Sequence, residues 1–275
     1  MRAFLVGFLA LAAASACSSD SSTNPGGGGD TGGGGCMTGS DTGSGGGGGG
    51  GDTSMRQDYD DTASIVASNL NVAELAAMQA SVNFAYGRLP QGFTEDVAGS
   101  MNTGTGSLTG SFGGLAATIG FECHDINHVA VPCNGAEDHV RLVLKWQGAV
   151  AGATMSADSI NEKGVYYVRY VNQARPMFGG TGNTSFTATL ATGVYTVSFM
   201  EASQHLLFDS TSPSLPSGGT DNFTLTIHRT REGEADRDFN VNAALVVTGT
   251  DTATLTLDGT EVYNLTLSTG VAVHQ

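Results

Sequence analysis

The stretch TATLTLDGTEVYNLTL, residues 252–267, alternates apolar and polar side chains on both sides of Asp258-Gly259. Leu255 and Leu257 precede the dipeptide and Val262 follows it. Alternation with period two is the mark of a half-buried strand, and Asp-Gly between two such runs marks a hairpin turn. The same period appears upstream. In DHVRLVLKWQ (138–147) Leu142 and Leu144 alternate with Val143 and Lys145. In GVYYVRYV (164–171) Val165, Tyr167, Arg169 and Val171 share one face, and Tyr166, Val168 and Tyr170 share the other. Ser185–Leu190, Val194–Met200, the run around Phe223, Leu225 and Ile227, and Phe239–Val247 read the same way. Nine to eleven short strands joined by short turns predict a mainly β fold, an antiparallel meander closed as a barrel or stacked as a sandwich. Trp146, the one tryptophan, reads as core or core edge.

Before Gln91 the period is helical. Asp58, Asp60 and Asp61 load the start of one helix, where the helix dipole favours acids. Asn71-Val72-Ala73-Glu74 resembles a capping box and starts a second, with Leu75, Met78, Val82 and Tyr86 at helical spacing. Gly87 and Pro90 end it. Two short helices near 58–69 and 72–86 are therefore expected ahead of the strands.

Composition divides the chain. Seventeen of its 41 glycines lie between Gly26 and Gly51. Ser18–Ser54 has almost no apolar side chains and cannot bury enough surface to offset its ordering entropy. As a flexible coil it reaches about 35 Å. Acids outnumber bases 26 to 11, a formal charge of −15. That charge repels phosphate backbones and argues against nucleic-acid partners.

Residues 1–16, MRAFLVGFLALAAASA, have a basic start, an apolar middle and a small-residue end. This is the layout of a secretory signal. Ala14-Ser15-Ala16-Cys17 resembles the lipobox of bacterial lipoproteins, with Ala14 where that family usually has leucine. The resemblance covers residues 1–54 and implies cleavage before Cys17, acyl chains on its thiol, and a lipid bilayer as partner. Ser18 is not the aspartate that retains such proteins at the inner membrane, so the resemblance implies the outer membrane of a Gram-negative cell. The expected organisation is a signal peptide (1–16), a lipidated cysteine and tether (17–54), and a single β-rich domain (55–275).

Within that domain, Cys123 and Cys133 flank HDINHVAVP. Export implies an oxidising compartment, where such a pair bridges. The alternative is a metal site of His124, His128, Cys123 and Cys133, although the spacing fits no established zinc pattern. Tyr166, Tyr167 and Tyr170 read as strand residues that would also suit a ligand groove. The mixed run His228–Asp238 reads as a solvated hairpin end, and Cys36 in the tether has no evident partner. Gly-x-Ser-x-Gly, His-Glu-x-x-His and the phosphate-binding glycine loop are absent, and no cofactor is expected. The functional expectation is a non-enzymatic envelope or surface module that binds or supports. The alternatives are a carrier of lipid or acyl chains in a half-barrel, and a hydrolase with a non-local site.

Overall fold

The computed structural model describes residues 50–96, 100–152, 155–209 and 214–275, without the side chains of 51–53 and 203. The signal segment, Cys17, Cys36 and nearly all of the tether lie outside the described residues. The described chain belongs to one compact unit, Gly48–Gln275.

The order of elements is helix first, strands after. Helix α1 (Gly50–Asn69) runs through a π-helical turn (Leu70–Glu74) into α2 (Leu75–Ala85). The strands are β1 (Thr94–Glu95), β2 (Thr105–Phe112), β3 (Leu115–His124), β4 (His139–Ala151), β5 (Ser156–Arg169) and β6 (Met177–Leu190). They continue as β7 (Gly193–Leu207), β8 (Gly218–Thr230), β9 (Arg237–Gly249), β10 (Thr252–Leu257), β11 (Glu261–Thr266) and β12 (Val271–His274). All twelve form one sheet in sequence order, each pair antiparallel. The count exceeds the sequence reading because β1 is only two residues long and β12 four.

The hairpin that sets the pattern folds as expected. Asp258 and Gly259 both take positive φ, 48° and 76°, and Thr260 N–H donates to Leu257 O at 3.1 Å. Such a turn matches the twist of the strands it joins. Strand alternation then sends one set of side chains inward. In β4 Val140, Leu142, Leu144 and Trp146 are buried, and in β8 Phe223, Leu225 and Ile227.

What they pack on is the helix. No residue from Gln57 to Ala85 is exposed. One stripe, Gln57, Asp60, Ser64, Asn71, Ala76, Gln79 and Asn83, is half-buried, and the rest of the helix surface is packed against the sheet. The sheet curls round it with a stagger. Strands β10, β11 and β12 touch α1, while β4 and β5 touch α2. Gly113, in the β2–β3 turn, comes against Val72, and Gly270, in the β11–β12 turn, comes against Ala67 and Asn71. A Cβ on Gly270 would stand 3.0 Å from Asn71 Cβ, and its φ is +64°. Glycine is required there on both counts. The interior is filled by Ile65, Leu70, Met78, Val82 and Phe84 from the helix, with stacked pairs such as Phe199–Phe223 at 4.3 Å from the sheet.

One expectation about the helix is corrected. The chain does not break at Asn71. The Asn71 amide donates to Leu267 O at 2.9 Å instead of capping a new helix. Leu75 N–H reaches back five residues to Leu70 O, so the helix widens into a π turn and continues. Such turns cost hydrogen-bond quality and gather at functional sites.

Candidate functional site

Three groups of polar side chains stand out, and strand parity places each of them.

The first is a cleft on the outside of the sheet, beside the C-terminal end of the helix. His124 of β3 pairs with His139 of β4, and His139 pairs with Arg169 of β5. Two pairs along the ladder, Glu122, Arg141 and Tyr167 line up across the same three strands. Because facing residues of an antiparallel ladder share a face, these two rows form a floor. The His124 and His139 rings stack at 5.2 Å, and His128 meets His139 edge-on at 5.1 Å. His139 Nδ1 lies 3.3 Å from Asp138 Oδ2, and Arg141 donates to Glu122 at 3.3 Å. The Arg169 guanidinium sits 5.1 Å over the Tyr167 ring. Tyr170 completes a cleft of about 560 Å³.

The loop that carries His128 is fixed from both ends. Cys123 and Cys133 form the disulfide expected from sequence, with Cα atoms 5.5 Å apart. Asp125 accepts backbone N–H groups from Asn127 and Val129, both at 2.9 Å, and these bonds hold its carboxyl below the usual carboxylate range. His128 and Tyr170, on opposite walls, have φ of 61° and 60°. Positive φ in a bulky residue is uncommon and costs free energy, and such residues concentrate where geometry is functional. The bridge takes both cysteines out of the metal set His124, His128, Cys123 and Cys133. A third imidazole, His139, joins the two histidines in their place. Among the described residues no three His, Cys, Asp or Glu side chains stand in a metal-holding arrangement.

The second group joins the N-terminal end of the helix to the β8–β9 hairpin. Asp58 receives Arg229 at 2.8 Å, Arg231 at 3.1 Å and Arg237 at 2.9 Å. Arg231 also reaches Asp61 at 2.8 Å, and the Tyr195 hydroxyl donates to Asp61. This corrects the reading of His228–Asp238 as a solvated end. Glu232, Asp236 and Asp238 are exposed, but Arg229 is 3% exposed and belongs to the interior. The helix begins at Gly50 and not near 58, so Asp58, Asp60 and Asp61 lie two to three turns inside it, where the dipole no longer acts on them, and Asp58 and Asp61 instead bind the strands that close over it.

The third group is buried beside the π turn. Glu74 comes from the turn itself, Glu162 and Tyr166 from β5, Glu201 and Gln204 from β7, and Asp221 from β8, all nearly inaccessible. The Tyr166 hydroxyl lies 2.9 Å from Glu162 Oε1 and 2.5 Å from Glu201 Oε2. Gln204 Nε2 donates to Glu201 Oε1 and to Asp221 Oδ2, both at 3.0 Å. Asn69 Nδ2 donates to Glu74 at 3.3 Å. Gly182 of β6 leaves the room, since a Cβ there would stand 1.9 Å from the Tyr166 hydroxyl. Burial, together with the Glu201 charge, pushes Glu162 up to about 9, and burial pushes Asp221 up to about 7. Glu74 and Glu201 are also raised well above the usual carboxylate range, first by burial and then by neighbouring carboxylates, Glu162 and Asp221 for Glu74, and Glu74 and Asp221 for Glu201.

Sequence reading found His124 and His128 and the tyrosines. Tyr167 and Tyr170 line the cleft, whereas Tyr166 is buried in the acid group. It missed His139, Arg141 and Arg169, whose outward parity in β4 and β5 was visible. It also missed the acids. Glu162 lies in phase with the inward Ile160 and Tyr166, and Asp221 in phase with Phe223. An acid at an inward position is the signal that would have found them.

No protein-family model, no curated protein and no solved structure matches this chain.

Proposed function

We propose that the protein is a lipid-anchored, non-enzymatic binding module of the bacterial envelope, held through Cys17 and the Ser18–Ser54 tether, and that the histidine–arginine–tyrosine cleft takes an anionic ligand. The cleft is the observation that supports the ligand class. In a chain of formal charge −15 it gathers two arginines and three imidazoles around one cleft, against the two acids Asp138 and Glu122. Arg169 lies over an aromatic face, and a guanidinium is a group suited to carboxylate or phosphate. The ring faces of Tyr170 and the histidines suit a flat or sugar-like body carrying that anion. The tether joins the body at the start of α1, and the cleft lies by the end of α2. Thirty-odd helical residues separate them by roughly 45 Å.

Two measurements test the proposal. Calorimetric titration of the mature chain with inorganic phosphate, a uronic acid and a neutral hexose should give binding of an anion and not of the hexose. Arg169→Ala should weaken the anion about tenfold or more, the loss of one charge-assisted contact, without lowering the thermal midpoint. Equal binding of the neutral sugar, or no effect of Arg169→Ala, sinks the ligand class. For the anchor, Cys17→Ala should move the protein from the membrane fraction to the soluble one. Unchanged partition of that variant sinks the lipoprotein reading.

A further inference from the structure

The buried acids raise a question of proton count. The Tyr166 hydroxyl has one proton and stands within hydrogen-bonding distance of two carboxyls, Glu162 and Glu201. It donates to one of them, so the other must donate to the phenol oxygen. A carboxylate has no proton to give, hence one of these two glutamates is protonated. Gln204 spends both amide protons on Glu201 and Asp221. The result is a hydrogen-bonded row, Glu162–Tyr166–Glu201–Gln204–Asp221, crossing from β5 through β7 to β8. Glu74 faces it from the π turn, with Asn69 on the helix and Thr184 on β6. Among the described residues no lysine, arginine or histidine makes an ion pair with any of the four acids. Glu162 Oε2, Asp221 Oδ1, Gln204 Oε1 and Asn69 Oδ1 are buried acceptors that meet no donor among the described residues. Four carboxylates without a cation cannot share such a space in their charged form, so protons must supply the missing donors.

The row lies behind a seam in the sheet. Pairing of β6 with β7 stops at Phe178↔Leu206 and resumes at Asn183↔Met200. Glu201 and Gln204 both belong to the unpaired stretch of β7, opposite Gly179–Gly182. The β7–β8 ladder also shifts register between Glu201 and Ser203. Gln204 lies in the lining of an outer cleft of about 320 Å³ over this seam, with Gly179, Gly180, Ala202 and His205. We propose that the Glu162–Tyr166–Glu201–Gln204–Asp221 row, with Glu74, is a buried proton-binding site whose occupancy holds the β6–β7 seam and the π turn together.

Removing protons from the site leaves facing carboxylates that repel one another across the seam. These acids hold their protons to higher pH in the folded than in the unfolded chain. Their contribution to stability is therefore complete below about pH 4 and is lost as pH rises through about 7 to 9. For each proton held, the unfolding equilibrium constant should rise about tenfold per pH unit in that window. Urea denaturation of the full-length chain between about pH 6 and pH 9 tests this. Glu162→Gln puts an amide donor beside the Tyr166 oxygen, so its loss of stability with pH should be shallower than in the wild type. Infrared spectra of the wild type at neutral pH should contain a protonated-carboxyl band that unfolding removes. Amide protection at Gly179–Gly182 and Glu201–His205, corrected for intrinsic exchange, should fall above pH 7 before that of β3 and β4. A pH-independent midpoint together with no protonated-carboxyl band would overturn the proposal. So would stabilisation of the alkaline form by millimolar calcium that a chelator reverses, which would make the row a cation site.

Discussion

Arg229 occupies an inward position on β8, in phase with Phe223, Leu225 and Ile227, and its charge is met underground by Asp58. Its guanidinium also donates to Ala235 O at 3.1 Å, which ties the hairpin end to the strand. A charge taken out of water at 3% exposure is costly alone, and removing its partner is what the protein would feel. Arg229→Ala should lower stability by about 3 kcal/mol, the low end for breaking a buried pair, because Asp58 keeps Arg231 and Arg237. Urea midpoints at neutral pH measure it. A loss of only about 0.5 kcal/mol, the worth of an exposed pair, would mean that the hairpin end is solvated after all. The same position explains why the residue is opaque in the sequence. His228, Arg231, Glu232 and Glu234 surround it with exposed or half-exposed charge, and only strand parity, not local composition, separates it from them.

At the scale of elements, the strands were the legible part. Each hairpin is a local object whose alternation and turn residues agree, as in Leu255, Leu257, Asp258 and Gly259. The helix was legible in type and misread in continuity. Asn71-Val72-Ala73-Glu74 has the composition of a cap, yet Asn71 spends its amide on Leu267, nearly two hundred residues away. Glu74 turns to face β5, β7 and β8 instead of its own backbone. A π turn places that acid where a regular α turn would have rotated it aside. The cleft was half legible for a related reason. His124 and His128 are sequence neighbours joined by a disulfide loop, while His139 and Arg169 reach them only through ladder pairing. Residues brought together by register carry no short-range motif, so a motif search returns nothing even where the chemistry is dense.

For the whole molecule, the consequence lies in the order of elements. The helix comes first in the chain and packs against the inward face of the twelve-stranded sheet. Among the described residues no second sheet covers the inward faces of β3, β4 and β7, since all twelve strands belong to one. Those faces have the helix as their common partner. Ile65, Leu70, Leu75, Met78, Val82 and Phe84 are each buried to within a few per cent. At about 1.5–3 kcal/mol apiece they contribute roughly 9–18 kcal/mol, and the net stability of a domain is about 5–15 kcal/mol. The helix term is thus as large as everything the fold has to spare. A chain beginning at Gln91, with every strand present, should therefore show no cooperative unfolding transition and poorly dispersed amide NMR signals, while the chain beginning at Gly50 should unfold in one step. Supplying residues 50–90 as a separate peptide should restore part of the transition, because the same contacts form in trans at the cost of association. Cooperative folding of the strands alone would show that the sheet closes on itself and that the helix is a passenger inside it.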